Sequence, residues 1–521
     1  MVSSYIFSDN RALALNKQSS NKFLAGVRWN IADMFTIQPL AGYAFDSQQD
    51  HFDEGFMYAV DALLSPINVG VTRFTADGSA SSLFISPRLQ EEYRLNSGWS
   101  SKFGTAASSR GGVQFRRSRR EYYTGTGTVP NDEREARTET SLSFIDALEY
   151  NLMENMSLDA SIDISQRWIE RRNTGTRATA GFSTFSGTVE EFRLRGGGGL
   201  SYQNSSGTRG SLRMEFNERD ESHSIEKDPS LPDIEYARRQ RIEEQKNNSI
   251  LQTHLIGKFL QPLGGRDTVA LAVSTVKTEY NTPSSQNTDD RDELFIAVGA
   301  RWNRAFNSCF KAALSADIQM RHIVNIFGER SANNCWNRVI RLSPFVEYRL
   351  GTMLVSRFQS EVVANYTVYD FAVPTAGFSD FSLRQLALTD TTTWALSAVT
   401  ALTLQAGTRY SEQGELRWSS FSLRPLAFIT ERWFTLAFRY APARIILMTG
   451  VRTFFQDRSR YEGLRQYEET AVANFGPLCR LEFHFLDKGT LFVDGWFQIT
   501  EQKSSPRRST PNLSLQVLWN L

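Results

Sequence analysis

Asn512-Leu513-Ser514-Leu515-Gln516-Val517-Leu518-Trp519-Asn520-Leu521 alternates in chemical character almost without fault. Leu513, Leu515, Val517, Trp519 and Leu521 fall on one parity; Asn512, Ser514, Gln516 and Asn520 fall on the other, and only Leu518 is out of class. A period of two over this length is a β-strand with one apolar and one wet face.

The same reading recurs upstream. Leu158, Ala160, Ile162, Ile164 and Trp168 alternate with Asp159, Ser161, Asp163, Ser165 and Arg167. Leu212, Met214 and Phe216 alternate with Arg213, Glu215 and Asn217. Leu294, Ile296, Val298, Ala300 and Trp302 alternate with Glu293, Phe295, Ala297, Gly299 and Arg301. Leu314, Ala316, Ile318 and Met320 alternate with Ser315, Asp317, Gln319 and Arg321, and Leu481, Phe483 and Phe485 with Glu482 and His484. The chain therefore reads as all-β.

Composition narrows the class. Mean hydropathy is −0.37, and no apolar run approaches the roughly 18 residues of a spanning helix. Strands in a membrane need only every second residue to be apolar, so low hydropathy leaves a membrane open. The 58 basic residues balance 57 acidic ones, which argues against a nucleic-acid coat. Aromatic residues make up 12%, which suits belts at two bilayer interfaces.

Cys309, Cys335 and Cys479 show no metal spacing and cannot all pair within one chain. Cys309 and Cys335 each open a strand of one hairpin, which puts them at opposite ends, too far apart for a disulfide. His51, His223, His254, His322 and His484 are dispersed, so neither a metal site nor a cofactor is expected. Gly196 to Gly199 lack the Lys-Ser/Thr of a phosphate loop and read as close packing, a bulge or strong curvature within a strand near the short-turn end. No Ser/His or acid/His constellation stands out, and a non-enzymatic protein is expected.

Short and long connections take turns along the chain. Short ones are expected at Ala32–Met34, Ser65–Asn68, Asn96–Gly98, Met153–Asn155, Asn204–Gly207, Leu263–Arg266, Asn307–Ser308, Leu350–Gly351, Val399–Thr400, Thr430–Glu431 and Leu486–Gly489. Longer ones are expected at 124–135, 173–184, 226–236, 282–290, 327–333 and 504–509, with a brief one at Glu412–Gly414. Trp99 to Tyr123 is then one long strand, unless Ser109–Gly112 turns. The segment Asp233 to Asn247 reads as a solvated strand extension in preference to a short helix. The count is about 24 strands, with 22 to 26 acceptable, in one domain over 1–521.

Trp29, Trp99, Tyr150, Tyr202, Trp302, Tyr348, Trp433 and Trp519 are expected at one rim, as an interfacial girdle. Arg116, Arg117, Arg119 and Arg120 form the densest basic patch. It suits either an anionic solute or lipopolysaccharide phosphates, or a strand top paired with Glu121, Asp132, Glu133 and Glu135; the second reading is preferred.

Taken together, the alternating strands, the two kinds of connection and the terminal amphipathic strand resemble bacterial outer-membrane β-barrel proteins. The resemblance is architectural and covers nearly the whole chain. It implies a single antiparallel transmembrane barrel with short periplasmic turns and longer external loops. It also implies a lipid and lipopolysaccharide surround, and assembly by the barrel-assembly machinery through the last strand. That strand usually ends in Phe or Trp in this superfamily; here the end is Trp519-Asn520-Leu521. No recognisable plug is read ahead of the strands, so a complete TonB-dependent receptor is not expected. The first eighteen residues have no basic segment followed by an apolar one, so a leader is expected to have been removed or to lie upstream.

The expected function is a pore or transport/export channel. Its polar lumen would be lined by Asp159, Asp163, Arg167, Arg213, Glu215, Glu293, Arg301, Asp317, Gln319 and Arg321, with mixed signs and weak charge selectivity. Loops, a plug or a periplasmic partner protein would restrict it. The alternatives are a surface-interaction anchor using its external hairpins, and, third, a soluble β-rich protein. The strand carrying Leu513, Leu515, Val517, Trp519 and Leu521 is expected to pair with the first and close the barrel.

Overall fold

The computed structural model describes all residues except 1, 9–16, 32–33, 49–50, 124–133, 174–185, 228–231, 372–379, 419–420, 464, 486–488, 503–504 and 520–521; the side chains of 2–8, 17–19, 48, 173, 422, 505 and 519 also lie outside the description. The described chain is all-β. Its first strands are β1 (Val2–Ser8), β2 (Lys17–Gly26), β3 (Trp29–Ile31), β4 (Phe35–Gln48), β5 (His51–Val69), β6 (Thr72–Ile85), β7 (Arg88–Phe103), β8 (Ala107–Tyr123), β9 (Arg134–Met153), β10 (Met156–Asn173), β11 (Gly187–Gln203) and β12 (Arg209–Ile225). A helix, α1 (Asp233–Glu244), intervenes. Then come β13 (Asn248–Leu263), β14 (Asp267–Asn281), β15 (Arg291–Ala305), β16 (Phe310–Asn325), β17 (Cys335–Leu350), β18 (Leu354–Tyr369), β19 (Asp380–Ala395) and β20 (Thr400–Arg417). The last are β21 (Ser422–Tyr440), β22 (Ile445–Glu462), β23 (Arg465–Phe485), β24 (Gly489–Gln502) and β25 (Ser505–Trp519). Because β2 and β3 both pair with β4, they are two pieces of one strand, which leaves 24 strands among the described residues.

The chain falls into two compact units. The first holds Met1–Tyr202, Ser211–Leu255 and Lys277–Asp292; the second holds Gln203–Gly210, Ile256–Val276 and Glu293–Leu521. In the first, each strand from β4 to β11 pairs antiparallel with the next. In the second, the same meander runs from β16 to β25. Sequential antiparallel pairing is what short hairpin turns dictate. No described helix is long and apolar enough to cross a membrane. The described partners of β1 and β25 are β2 and β24; the sealing pair expected between the first and last strands is not seen among the described residues.

Strand register places most of the described turns where the sequence put them; those expected at Ala32–Met34 and Leu486–Gly489 fall largely outside the described residues, and the exceptions lie within strands. Ser65–Asn68 lies inside β5, at a register shift between Leu64 and Ile67, and the turn follows at Gly70, whose φ of 59° favours glycine. Glu412–Gly414 lies inside β20, at a shift between Gln413 and Gly414. Both are bulges, which use turn-like residues without reversing the chain. Asn96–Gly98 also continues a strand, β7; Asn96 Nδ2 donates to Asp77 Oδ2 at 2.7 Å, and Gly98 faces Gly112 across the ladder. The reversal comes at Gly104 (φ 65°), so Trp99 to Tyr123 is two strands, and Ser109–Gly112 does not turn. Thr430–Glu431 lies within β21; the chain reverses after Tyr440, where the Ile445 N–H donates to the Pro442 carbonyl at 2.9 Å. The connection expected over 504–509 is largely strand, since β25 begins at Ser505.

Asp233 to Glu244 is a helix, not a strand extension. Glu235 and Arg239 pair at 2.6 Å and Gln240 donates to Glu244 at 2.8 Å, both four residues apart on one helix face. Asp233 and Glu235 in the first turn and Arg241 in the last suit the helix dipole. Its few apolar residues, among them Ile234 and Ile242, are not buried, so local pairs decide its conformation.

Glycines mark where a side chain crosses a strand. A Cβ at Gly407 would run into the ring of Trp433 on the neighbouring strand. Gly407→Val is expected to lower folding stability by about 1–3 kcal/mol, read as a shift of the urea midpoint of the detergent-folded chain; an unchanged midpoint would refute the packing.

Candidate functional site

Alternation on paired strands sorts side chains onto two faces, because residues directly opposite in a ladder point the same way. In the first unit one face carries Leu158, Ile162 and Ile164 of β10, with Leu142, Phe144 and Leu148 of β9 and Leu200 of β11. These side chains are exposed, as are Leu212 (54%) and Met214 (55%) of β12. In the second unit Leu515 stands beside Val493, Val493 beside Leu481 and Leu481 beside Leu447, an apolar row over four strands. Leu513 is 76% exposed and Leu515 65%.

The other face is charged and interlocked. Arg213 reaches over β11 to Asp159 on β10 and donates to Glu215 at 2.7 Å on its own strand. The glycine run makes this possible: a Cβ at Gly199 would sit 2.5 Å from the Asp159 carboxylate. Arg167 donates to Glu139 at 2.9 Å and lies 3.9 Å from Glu191. Asp163 faces Arg195 at 4.0 Å. In the second unit Arg321 pairs with Glu293, Arg301 donates to Asn303 at 2.9 Å, and the Asp317 carboxylate lies against Gly299. Glu347 receives Arg349 at 2.6 Å and Arg357 at 2.8 Å. Asp317 and Gln319 share a face with Arg341 and Val339, their ladder partners. Within each unit the polar residues singled out from the sequence thus share its charged face.

The aromatic residues separate. Trp29, Trp99, Tyr150 and Tyr202 in the first unit, and Trp302 and Tyr348 in the second, lie near the short-turn ends of their strands. Trp29, Tyr150 and Tyr348 are exposed; Trp302 donates its indole N–H to Asp267 at 2.9 Å. Trp433 does not belong with them. It lies well inside β21, on the face of Glu431, with the Arg409 guanidinium 5.8 Å from its ring. Misplacing the turn at Thr430–Glu431 had put it at the rim. The side chain of Trp519, and Leu521, lie outside the described residues.

The basic patch divides by parity. Arg116 and Arg120 share a face with Arg94, Glu92 and Arg137, and Arg116 pairs with Glu92 at 3.0 Å. Arg117 and Arg119 point the opposite way, and Arg119 pairs with Glu121 at 2.7 Å. Asp132 and Glu133 lie outside the described residues.

One buried cluster left no mark in the sequence. Asp46 and Asp53 stand directly opposite in the β4–β5 ladder, an arrangement of like charges. Arg88, 3% exposed, forks between them, 2.7 Å from Asp46 and 2.5 Å from Asp53. The Tyr123 hydroxyl donates to Asp53 at 2.9 Å, and His51 stacks on its ring at 4.1 Å. Tyr123 ends β8 beside the connection 124–133. Burial, then the Asp53 carboxylate, pushes its hydroxyl up to about 12. Strand pairing lets Arg88 and Tyr123 reach carboxylates 35 to 70 positions away, a separation no local motif reports.

The three cysteines are free; Cys335 stands opposite Ile323 at the far end of the β16–β17 hairpin from Cys309. Among the described residues no group of three His, Cys, Asp or Glu side chains is placed to hold a metal ion.

No model of a known protein family matches the sequence, and no curated protein matches it. Solved structures similar to it include the FrpB iron transporter from Neisseria meningitidis (9% identical, covering 89% of this chain and 80% of that one, TM-score 0.43). Others are the ferric-catecholate import receptor Fiu from Escherichia coli K12 (10% identical, 89% and 80%, TM-score 0.42) and the ferric preacinetobactin receptor BauA from Acinetobacter baumannii (9% identical, 99% and 80%, TM-score 0.39).

Arg88→Met leaves two buried carboxylates without their cation and is expected to cost about 3–5 kcal/mol. Adding Asp46→Asn and Asp53→Asn should restore much of the lost urea midpoint; a single variant as stable as wild type would show that the fork carries no energy. Tyr123 is held neutral, so its contribution is complete below pH 10 and is lost as pH rises through about 12. The 295 nm titration of wild type minus Tyr123→Phe should show one group near 12; a midpoint at 10 would contradict the hydrogen bond.

Proposed function

We propose that the chain is an outer-membrane β-barrel, a non-enzymatic pore or transport barrel whose charged face lines the lumen. The observation that carries this is the pairing of an exposed apolar face with a charged face crossed by Arg–carboxylate bridges. Water-soluble monomers rarely expose contiguous apolar patches beyond a few hundred Å²; hydrocarbon suits such a face and excludes the charged one. Backbone groups in hydrocarbon must all be paired, so sheets that cross a bilayer have no free edge. In this reading β25 closes on the first strand as one barrel domain, and lipopolysaccharide surrounds its outer half. The strands exceed the 9–11 residues a bilayer needs, so their long-connection ends project outside. A plug or periplasmic partner would narrow the opening, and assembly machinery would insert the last strand.

The test begins with detergent-folded protein. Unboiled protein should migrate apart from boiled protein on a gel, and it should conduct in a planar bilayer with weak charge selectivity. Met214→Arg, on the lipid face, should cost about 2–4 kcal/mol in vesicles, whereas Ser161→Arg, on the lumen face, should not. Solubility without detergent would end the membrane reading. A folded barrel without conductance or solute leak would favour the surface anchor or a plugged transporter.

A further inference from the structure

Three arginines stand in one row near the long-connection ends of β8, β9 and β10. Arg120 is directly opposite Arg137, and Arg137 is directly opposite Arg171. Adjacent strands lie about 4.8 Å apart, so three cations leave one face within roughly 10 Å. On the far side of β8 the partner of Arg120 is Gln90, and beyond Arg171 the partner is Gly187. Like charges directly opposite are destabilising. Elsewhere on this face such crowding is relieved by a carboxylate, as Arg167 and Arg213 show. Here relief is partial. Arg137 lies 3.5 Å from Glu139, which is already held by Arg167 at 2.9 Å. Among the described residues Arg120 and Arg171 have no ion pair.

A cavity of about 200 Å³ opens beside this row, lined by Arg116, Ser118, Arg120, Tyr122, Arg137 and Glu139. All six are on the charged face, since alternate residues of β8 meet alternate residues of β9. Arg116 is occupied by Glu92. That leaves the Arg120 fork and the Arg137 fork, whose contact with Glu139 at 3.5 Å is shared with Arg167, together with the Ser118 and Tyr122 hydroxyls, as donors around a space that holds one acid. Guanidinium forks match the oxygens of phosphate in pairs.

We propose that this cavity binds the phosphate group of a soluble anion, with Arg120 and Arg137 as the charged donors and Ser118 and Tyr122 completing the oxygen shell. The site deepens the pore reading, on which its access from outside rests: it would concentrate a phosphate-bearing solute at the mouth of the lumen.

The test uses the full chain folded in detergent, at fixed ionic strength, with inorganic phosphate and pyrophosphate as probes. The temperature at which the unboiled gel form is lost should rise with either probe. Arg120→Gln should melt higher than wild type without phosphate, because the repulsion is relieved, and should need at least tenfold more phosphate for the same rise. Arg120→Lys should keep part of the response. Equal responses in wild type and Arg120→Gln would overturn the site, as would an Arg120→Gln protein that melts lower without phosphate. Purified lipopolysaccharide is the second arm: an Arg120-dependent shift with it, and none with pyrophosphate, would overturn the soluble ligand in favour of a lipid headgroup. Conductance is measured separately. An Arg120-dependent shift in a protein that does not conduct upholds the site and refutes an open pore; conductance without any shift refutes the site alone.

Discussion

A slip of one residue in β12 would carry Arg213 onto the face that now holds Leu212 and Met214. Side chains in a strand alternate, so register is an all-or-nothing choice. The two faces enforce it together. An apolar slip buries nothing useful, and a charged slip strips several arginines of their carboxylates at once. Arg213 illustrates the coupling: its bridge to Asp159 spans three strands and exists only when Gly197 and Gly199 pass beneath it. A one-residue error in β11 would put Gly198 under the guanidinium and Leu200 under the carboxylate. The glycine run that resembles a loop therefore bars a slip in that direction.

Much of this was legible because period two is local. Asp159, Asp163 and Arg167 share a face in the structure because they share parity in the sequence, and no tertiary knowledge is needed to see it. The strand count was legible for the same reason. Turn positions were less so. Pro66, Gly98 and Gly414 each carry turn chemistry yet continue a strand, since bulges and close approaches call on the same residue types as reversals. Trp433 then followed its misplaced turn to the rim, whereas it lies well inside β21. Asp233 to Glu244 failed differently: its few apolar residues, Ile234, Tyr236 and Ile242, share one parity as a strand's would, and only the pairs four residues apart distinguish a helix.

Contacts across distant strands were not legible at all. Asp46, Asp53, Arg88 and Tyr123 are unremarkable in sequence, and only pairing β4 to β5 and bringing β7 and β8 beside them makes a buried cluster. The basic patch shows the converse. Four arginines that look like one feature are two, because alternation sends Arg116 and Arg120 one way and Arg117 and Arg119 the other. The cations that do gather are Arg120, Arg137 and Arg171, drawn from three strands.

The Asp46–Asp53 pair and the Arg120–Arg137–Arg171 row pose the same electrostatic problem with opposite signs. Two carboxylates forced opposite each other are answered from within: Arg88 arrives from another strand, is buried and serves both. Buried like charges must be answered in this way, because desolvation leaves no water to share the load. The arginine row lies where solvent still reaches it, so the chain can tolerate it without an internal counter-ion. A repulsion that is tolerable when wet becomes favourable when an anion displaces the water. Burial therefore decides which of two like-charge clusters hardens into structure and which stays open for a ligand.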